Sequence, residues 1–227
     1  MPPLVSVIVP VRDDSAAAGQ LLAQIGVDQR LEIIVVEAEG GGGPCLSSAR
    51  SDVRILRSRA GRGIQMNTGA AIASGEWLLF LHADSRLPPR WLDVFQQAVG
   101  RGPGTGSPDP GSDRVPSPES QVPAVGVREN VCGGWFRFAL DDPSWQARLV
   151  ERGVRLRVQV LTLPYGDQGL FVRRDIFERM GGYREIPLME DVEFVGRLVG
   201  TGPVVELPVA LATSARRWQR DGWFRRR

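Results

Sequence analysis

Gly75-Glu76-Trp77-Leu78-Leu79-Phe80-Leu81-His82-Ala83-Asp84-Ser85 is the stretch whose reading decides the fold. Trp77 to Leu81 is an unbroken apolar run, the pattern of a strand buried on both faces of a parallel sheet. The run stops at His82-Ala83-Asp84-Ser85, with Pro88-Pro89 just beyond. A carboxylate where a buried strand surfaces is costly to desolvate unless something binds it. In open α/β sheets ligands sit beyond the carboxyl ends of the strands, so Asp84 is a candidate binding residue.

Upstream, Leu4 to Val11 reads as a first buried strand, with Pro10 ending its ladder role. Arg12-Asp13-Asp14-Ser15 is a polar turn with capping residues, and Ala16 to Ile25 a helix with Leu21, Leu22 and Ile25 on one face. Leu31 to Val36 is a second strand, ending in Glu37-Ala38-Glu39 and Gly40 to Gly43. Val53 to Leu56 is a short third strand. Gly61-Arg62-Gly63 opens a helix over 64–74, where Gly69, Ala70, Ala71 and Ala73 leave a smooth face for a sheet. The order β-α-β-β-α-β predicts an α/β fold with a mainly parallel sheet flanked by helices. Parallel strands would bring Arg12-Asp13, Glu37 and His82-Ala83-Asp84 to one rim. Such a rim suits a phosphate-bearing ligand with a divalent cation, which often takes one or two carboxylates plus substrate oxygens. The Walker A pattern and a GxGxxG after the first strand are both missing.

Downstream, Trp91 to Val99 is a helix. Arg101 to Ala124 is rich in Gly, Pro, Ser and Asp and reads as a disordered surface insertion within a single 1–227 domain. Val131 to Phe138 is expected as an edge strand of a mixed sheet. Trp145 to Val158, Arg174 to Met180 and Met189 to Val199 read as helices. Leu170 to Val172 and Val204 to Leu207 read as strands, and Tyr165 to Gly169 as a polar turn that could face an acceptor. Trp135, Phe136 and Trp145 are expected in the core rather than as sugar platforms.

Of the 227 residues 42% are hydrophobic, and no apolar run reaches the length of a membrane span. Met-Pro-Pro runs straight into a strand-like segment, so a cytoplasmic protein is expected, with Cys45 and Cys132 as reduced thiols. The net charge of +2 gives no reason to expect nucleic acid as a partner. Every basic residue is arginine, which excludes lysine-dependent chemistry such as a Schiff base. The tail Arg216-Arg217-Trp218 to Arg227 has three readings: a frayed end, a flap over a ligand, or a peripheral contact with an anionic membrane.

Val5-Ser6-Val7-Ile8-Val9-Pro10, the Glu37 strand end, Arg62-Gly63-Ile64-Gln65-Met66-Asn67, Phe80-Leu81-His82-Ala83-Asp84 and Glu190-Asp191 occur in the order seen in family 2 glycosyltransferases, which the chain resembles over nearly its whole length outside the insertion. The Gly61 to Asn67 and Phe80 to Asp84 forms look most like a small bacterial subgroup labelled arsenosugar-biosynthesis or radical-SAM-associated glycosyltransferases. The resemblance implies a GT-A fold, a nucleotide-diphosphate sugar donor, a hydroxyl acceptor that is small or lipid-linked, Mg2+ or Mn2+, and inversion at the anomeric carbon. It implies that Pro10 and Arg12 line the nucleoside pocket and that Glu37 takes the place of the family's base-contacting Asp. Arg62 would help hold the nucleotide, and Asp84 would match the last acid of the DXD motif and bind the metal. Asp191 would match the acid of the ED motif, the general base. Arg217 and Trp218 keep part of the Gln-x-x-Arg-Trp motif of processive relatives, with Arg217 toward the diphosphate; the missing Gln argues against polymer synthesis.

Two departures stand out. The first acid of the DXD motif is His82, the only histidine, which could ligate the metal, touch the ribose or cap the strand. Glu37 is one methylene longer than the family's Asp. Two other functions fit the same rim: a sugar-phosphate nucleotidyltransferase, and a non-catalytic nucleotide-sugar-binding protein.

Overall fold

The computed structural model describes residues 3–41, 50–100, 130–161, 164–216 and 219. The insertion expected at 101–124, and Arg217 and Trp218, lie outside the described residues. Val5–Val11 (β1), Ser15–Ile25 (α1), Leu31–Ala38 (β2), Val53–Ser58 (β3), Arg62–Ile72 (α2) and Trp77–Phe80 (β4) follow the expected β-α-β-β-α-β order. Then come Trp91–Val99 (α3), Gly133–Leu140 (β5), Trp145–Leu161 (α4) and a 3-10 turn at Gly166–Gln168. Leu170–Arg173 (β6), Arg174–Arg179 (α5), Glu190–Val199 (α6) and Val204–Thr213 (β7) complete the described elements.

The strands form one sheet in the order β3-β2-β1-β4-β6-β5-β7. β1 runs parallel to both β2 and β4, and β2 to β3. β6 runs against β4 and β5, while β5 and β7 are parallel. All strands except β6 therefore point the same way, and their carboxyl ends share one rim.

Side-chain alternation splits the sheet into two cores. Val7, Val9, Ile33, Val35 and Leu79 pack under α1 and α3, against Leu21 and Phe95. Ile8, Ile34, Val36, Leu78 and Phe80 pack under α2, α5 and α6, against Met66, Phe177 and Phe194. The smooth face expected on α2 is present: a Cβ on Gly69 would sit 2.6 Å from Ile8 Cγ2. Any larger residue would lift the helix off the strand. Ala71 points outward instead. α1 begins where Asp14 Oδ1 accepts from the Ala17 N–H at 3.1 Å, an N-cap placed by the polar turn after β1.

Four expectations need correction. β5 is interior, between β6 and β7, because Trp135, Phe136 and Phe138 are buried and β7 covers its outer side. β7 runs on to Thr213 rather than stopping at Leu207. Pro208 falls where the β5–β7 register shifts, on an edge strand, a place where a missing N–H costs no ladder bond. Pro10 likewise stays within β1, since β4 has already ended at Phe80 and only the β2 side is laddered there. Trp145 is not core: it opens α4 and is 66% exposed.

At the opposite end of the sheet a half-buried polar cluster joins β1, β2 and the α2–β4 link. Glu32 Oε2 accepts from the Ser6 hydroxyl at 2.6 Å and from the Ser74 N–H at 2.8 Å, and Arg54 Nη1 lies 3.2 Å from Oε1. Burial pushes the Glu32 carboxyl up, but the donors from Ser6, Ser74 and Arg54 outweigh it and hold the pKa below its ordinary value. A depressed folded-state pKa adds stability above the unfolded value of about 4.3, and that stability is lost as pH falls through the folded value. Glu32→Gln is expected to destabilise the fold by about 1–2 kcal/mol at neutral pH. In urea unfolding the gap to wild type should narrow once the pH drops below about 4.

Candidate functional site

The carboxyl ends of β2, β1 and β4 lie side by side, as their parallel pairing requires, and a cavity of about 490 Å³ opens beside them. Pro10, Arg12, Arg62, His82 and Asp84 all line it, together with Gln65, Pro187, Ser214 and Arg216. Parallel pairing thus brings together residues more than seventy positions apart.

Asp84 sits within a tight turn in which the Ser85 N–H donates to the His82 carbonyl at 3.0 Å. Among the described residues its carboxylate has no hydrogen-bond or ion-pair partner, and it faces the cavity. Arg12 stands exposed, 3.7 Å from Asp13. Arg62 opens α2 and reaches Glu190 Oε1 at 3.3 Å. Glu190 is 4% exposed, and a carboxylate that deep needs a cation beside it. Arg62 therefore ties the first turn of α2 to the first turn of α6 while still bordering the cavity.

Asp191, the second residue of α6, is buried beside this pair. Its Oδ2 accepts from the Gly166 N–H at 2.5 Å and its Oδ1 from the Val192 N–H at 2.8 Å. The 3-10 turn comes this close only because residue 166 is glycine. A Cβ there would sit 3.1 Å from Asp191 Oδ2 and 3.2 Å from His82 Nε2. Those two atoms consequently converge on one point. They border a small enclosed space with Arg62, Gly166 and Tyr183. His82 and Arg62 line both this space and the larger cavity, so they form the wall between them. His82 Nε2 is buried on the Asp191 side, away from the open cavity where Asp84 lies.

The other acids at the start of α6 are engaged differently. Glu193 pairs with Arg184 at 3.0 Å and with Arg197 at 2.7 Å, and Arg197 also donates to the Met180 and Gly182 carbonyls. Glu190 and Glu193 are thus ion-paired, whereas the carboxylate of Asp191 is met by backbone N–H groups. A helix-dipole role alone would make the three equivalent.

Three supporting residues went unassigned in the sequence. Gln65 Nε2 donates to the Val11 and Val36 carbonyls at 2.8 and 2.7 Å, closing the ends of β1 and β2 beside the cavity. Its signal was a polar side chain four residues before Gly69 on the sheet-facing side of α2. Asn67 donates to the Tyr183 carbonyl at 2.8 Å and accepts from its N–H at 2.9 Å, fastening the segment before α6 to α2. Tyr183 is buried against Phe80 and Phe194. Burial, then the nearby Asp191 and Glu190 carboxylates, hold its phenol well above the usual pKa, so it stays protonated. Its hydroxyl has no hydrogen-bond partner among the described residues.

Glu37 stands apart from the cavity-lining side chains. It sits opposite Val11 in the β1–β2 register, buried, with Arg57 Nε at 3.8 Å. In the turn before β6, Gln168 is buried and donates to the Phe136 carbonyl, so this side chain anchors the turn. Among the described residues no group of three or more His, Cys, Asp or Glu could cage a metal. The available donors suit only a cation that keeps substrate or water oxygens in its shell, as Mg2+ and Mn2+ do. No helix among the described residues is long and apolar enough to cross a membrane.

No protein of curated function matches the chain's sequence. Among solved structures, the mannosyltransferase PcManGT from Pyrobaculum calidifontis, in complex with GDP-Man and Mn2+, is similar at 17% identity with a TM-score of 0.59. The alignment covers 93% of this chain and 57% of that one, so the chain spans little over half the length of the mannosyltransferase. Glucosyl-3-phosphoglycerate synthase from Mycobacterium tuberculosis, in complex with Mn2+, UDP and phosphoglyceric acid, aligns over 93% of this chain and 69% of its own at 14% identity and a TM-score of 0.44. The likeness to PcManGT establishes the fold as GT-A, in keeping with the seven-stranded mixed sheet. Residues 6–107, from β1 past α3, match the family described as Glycosyl transferase family 2.

Proposed function

We propose that this protein is an inverting family 2 glycosyltransferase that moves a sugar from a nucleotide-diphosphate donor to a hydroxyl acceptor. One observation carries the reading. The open cavity lined by Asp84, whose carboxylate has no partner among the described residues, shares a wall, His82 and Arg62, with the enclosed space that holds Asp191. A leaving-group site and a proton-accepting site thus adjoin. The family match over 6–107 and the likeness to a mannosyltransferase solved with GDP-Man and Mn2+ support the same reading.

In it, Pro10 and Arg12 contact the nucleoside, with the Glu37–Arg57 pair at its base-recognising end. Arg62 and Arg217 hold the diphosphate; Arg216, next to Arg217, lines the cavity. Trp218 is assigned to donor binding alongside Arg217. Mg2+ or Mn2+, held by Asp84 with the donor's diphosphate oxygens, would offset the charge that builds on the leaving group. His82 faces Asp191 and enters as a wall of the acceptor side rather than as the principal metal ligand. The acceptor oxygen gives its proton to Asp191 as it bonds to the anomeric carbon, and the bond from that carbon to the phosphate oxygen breaks. One carboxylate suffices for this single displacement. The resemblance of the Gly61 to Asn67 and Phe80 to Asp84 forms supports assigning the chain to the arsenosugar-biosynthesis subgroup.

The test is incubation with Mn2+ and a panel of nucleotide sugars and hydroxyl acceptors. Acceptor-dependent release of nucleoside diphosphate, with an inverted anomeric product by NMR, is expected. Pyrophosphate release from a sugar phosphate and a nucleoside triphosphate would assign a nucleotidyltransferase instead. Donor binding without release under any acceptor would assign a binding protein.

A further inference from the structure

We propose that the solvent-facing side of α4 is a docking surface for an anionic lipid bilayer. α4 buries one side against β5, through Ala147 and Val158 with Val150 and Val154 partly covered. On the opposite side, Trp145, Leu149, Leu156 and Val160 are 66, 46, 63 and 68% exposed. Their spacing of four, seven and four residues keeps them on one stripe along the helix. Four large apolar side chains on one exposed helix face are more than the scattered surface leucines of an ordinary domain.

The charges beside the stripe select the partner. Arg148, Arg152 and Arg155 flank it on one side and Arg157 on the other, where the Arg157 guanidinium lies 3.6 Å over the Tyr165 ring. The helix has one acid, Glu151, which is turned inward, accepting from the Leu140 N–H at 2.9 Å and pairing with Arg148. Arg152 and Arg155 are exposed and have no ion-pair partner among the described residues. An apolar stripe between arginines is the pattern of a helix lying in a bilayer interface: apolar groups enter the acyl boundary and guanidinium groups meet lipid phosphates. A second copy of the chain would set arginines against arginines. A convex ridge also offers an acidic protein no pocket, whereas a fluid interface takes a ridge of any shape. Gln219 reaches the start of this helix, donating to Asp142 at 2.6 Å, three residues before Trp145. This inference does not depend on the glycosyl-transfer reading.

The full chain is sedimented with phosphatidylcholine vesicles, with and without phosphatidylglycerol. Binding is expected only to the anionic vesicles and to fall with added salt. Leu149→Glu/Leu156→Glu should weaken partitioning at least about tenfold. Arg152→Gln/Arg155→Gln should weaken it about thirtyfold on anionic vesicles. These residues are exposed, so unchanged thermal melts are expected and would exclude misfolding. Deleting 220–227 should leave binding largely intact. Failure of wild type to bind, equal binding by the helix variants, or loss of binding with the deletion alone would each overturn the proposal. So would a dimer of the wild type, seen by gel filtration, that Leu149→Glu/Leu156→Glu dissolves.

Discussion

Asp191→Asn is expected to cut turnover by about 10²–10⁴, the usual contribution of a positioned general base, while changing donor affinity little. The exchange removes the proton-accepting carboxylate and almost no volume. Asn can keep one of the two backbone bonds, from Gly166 or from Val192. Its amide N–H₂ must then face the other N–H, so a stability loss of about 1–2 kcal/mol is also expected. Donor affinity by calorimetry in Mn2+ should stay within about threefold, because Asp191 lies across the His82–Arg62 wall from the open cavity. Unchanged turnover would remove Asp191 from the proton transfer. Lost donor binding would make it a scaffold residue that fixes the Gly166 turn. Glu193→Gln serves as a comparison: it breaks the Arg184 and Arg197 pairs and should lower stability far more than it lowers the rate per folded molecule.

Asp84→Ala is expected to abolish the metal dependence of donor binding. Wild type should bind a nucleoside diphosphate about 10²–10³-fold more tightly with Mn2+ than with a chelator, a difference of several kcal/mol. The variant should show the weak, chelator-level affinity under both conditions. The fold should be unaffected, since the Asp84 side chain contributes no hydrogen bond or ion pair among the described residues and the turn around it is held by backbone. His82→Ala provides the contrast. If Asp84 is the principal ligand, metal-dependent binding survives in that variant while turnover falls. A His82→Ala variant that loses Mn2+-dependent affinity as completely as Asp84→Ala would return the imidazole to the metal.

Much of the fold was legible because it rests on local patterns. Continuous apolar runs marked β1, β2 and β4, and the smooth glycine–alanine face of α2 announced its packing on a sheet. The rim followed from parallel strands alone, since β-α-β connections put strand ends on the same side. What failed were inferences about neighbours. β7 was expected to end at Leu207 because the register shift that carries it past Pro208 exists only in its pairing with β5. Trp145 looked like core because its aromatic bulk is the same whether the helix turns it inward or out.

By itself the sequence determined the α/β order, the buried strands, the rim that carries Asp84, and the residues whose pattern resembles a known family. Those are properties of periodicity and short motifs, set by residues adjacent in the chain. Only the tertiary structure decided how Asp84 and His82 divide. The two are two residues apart, yet one faces an open cavity and the other turns toward Asp191, more than a hundred residues downstream. It also decided that Asp191 differs from Glu190 and Glu193, and that one side of α4 stays exposed. The deciding quantity is the partner each group meets in the fold: a glycine N–H, an arginine, or a β-strand covering one side of a helix.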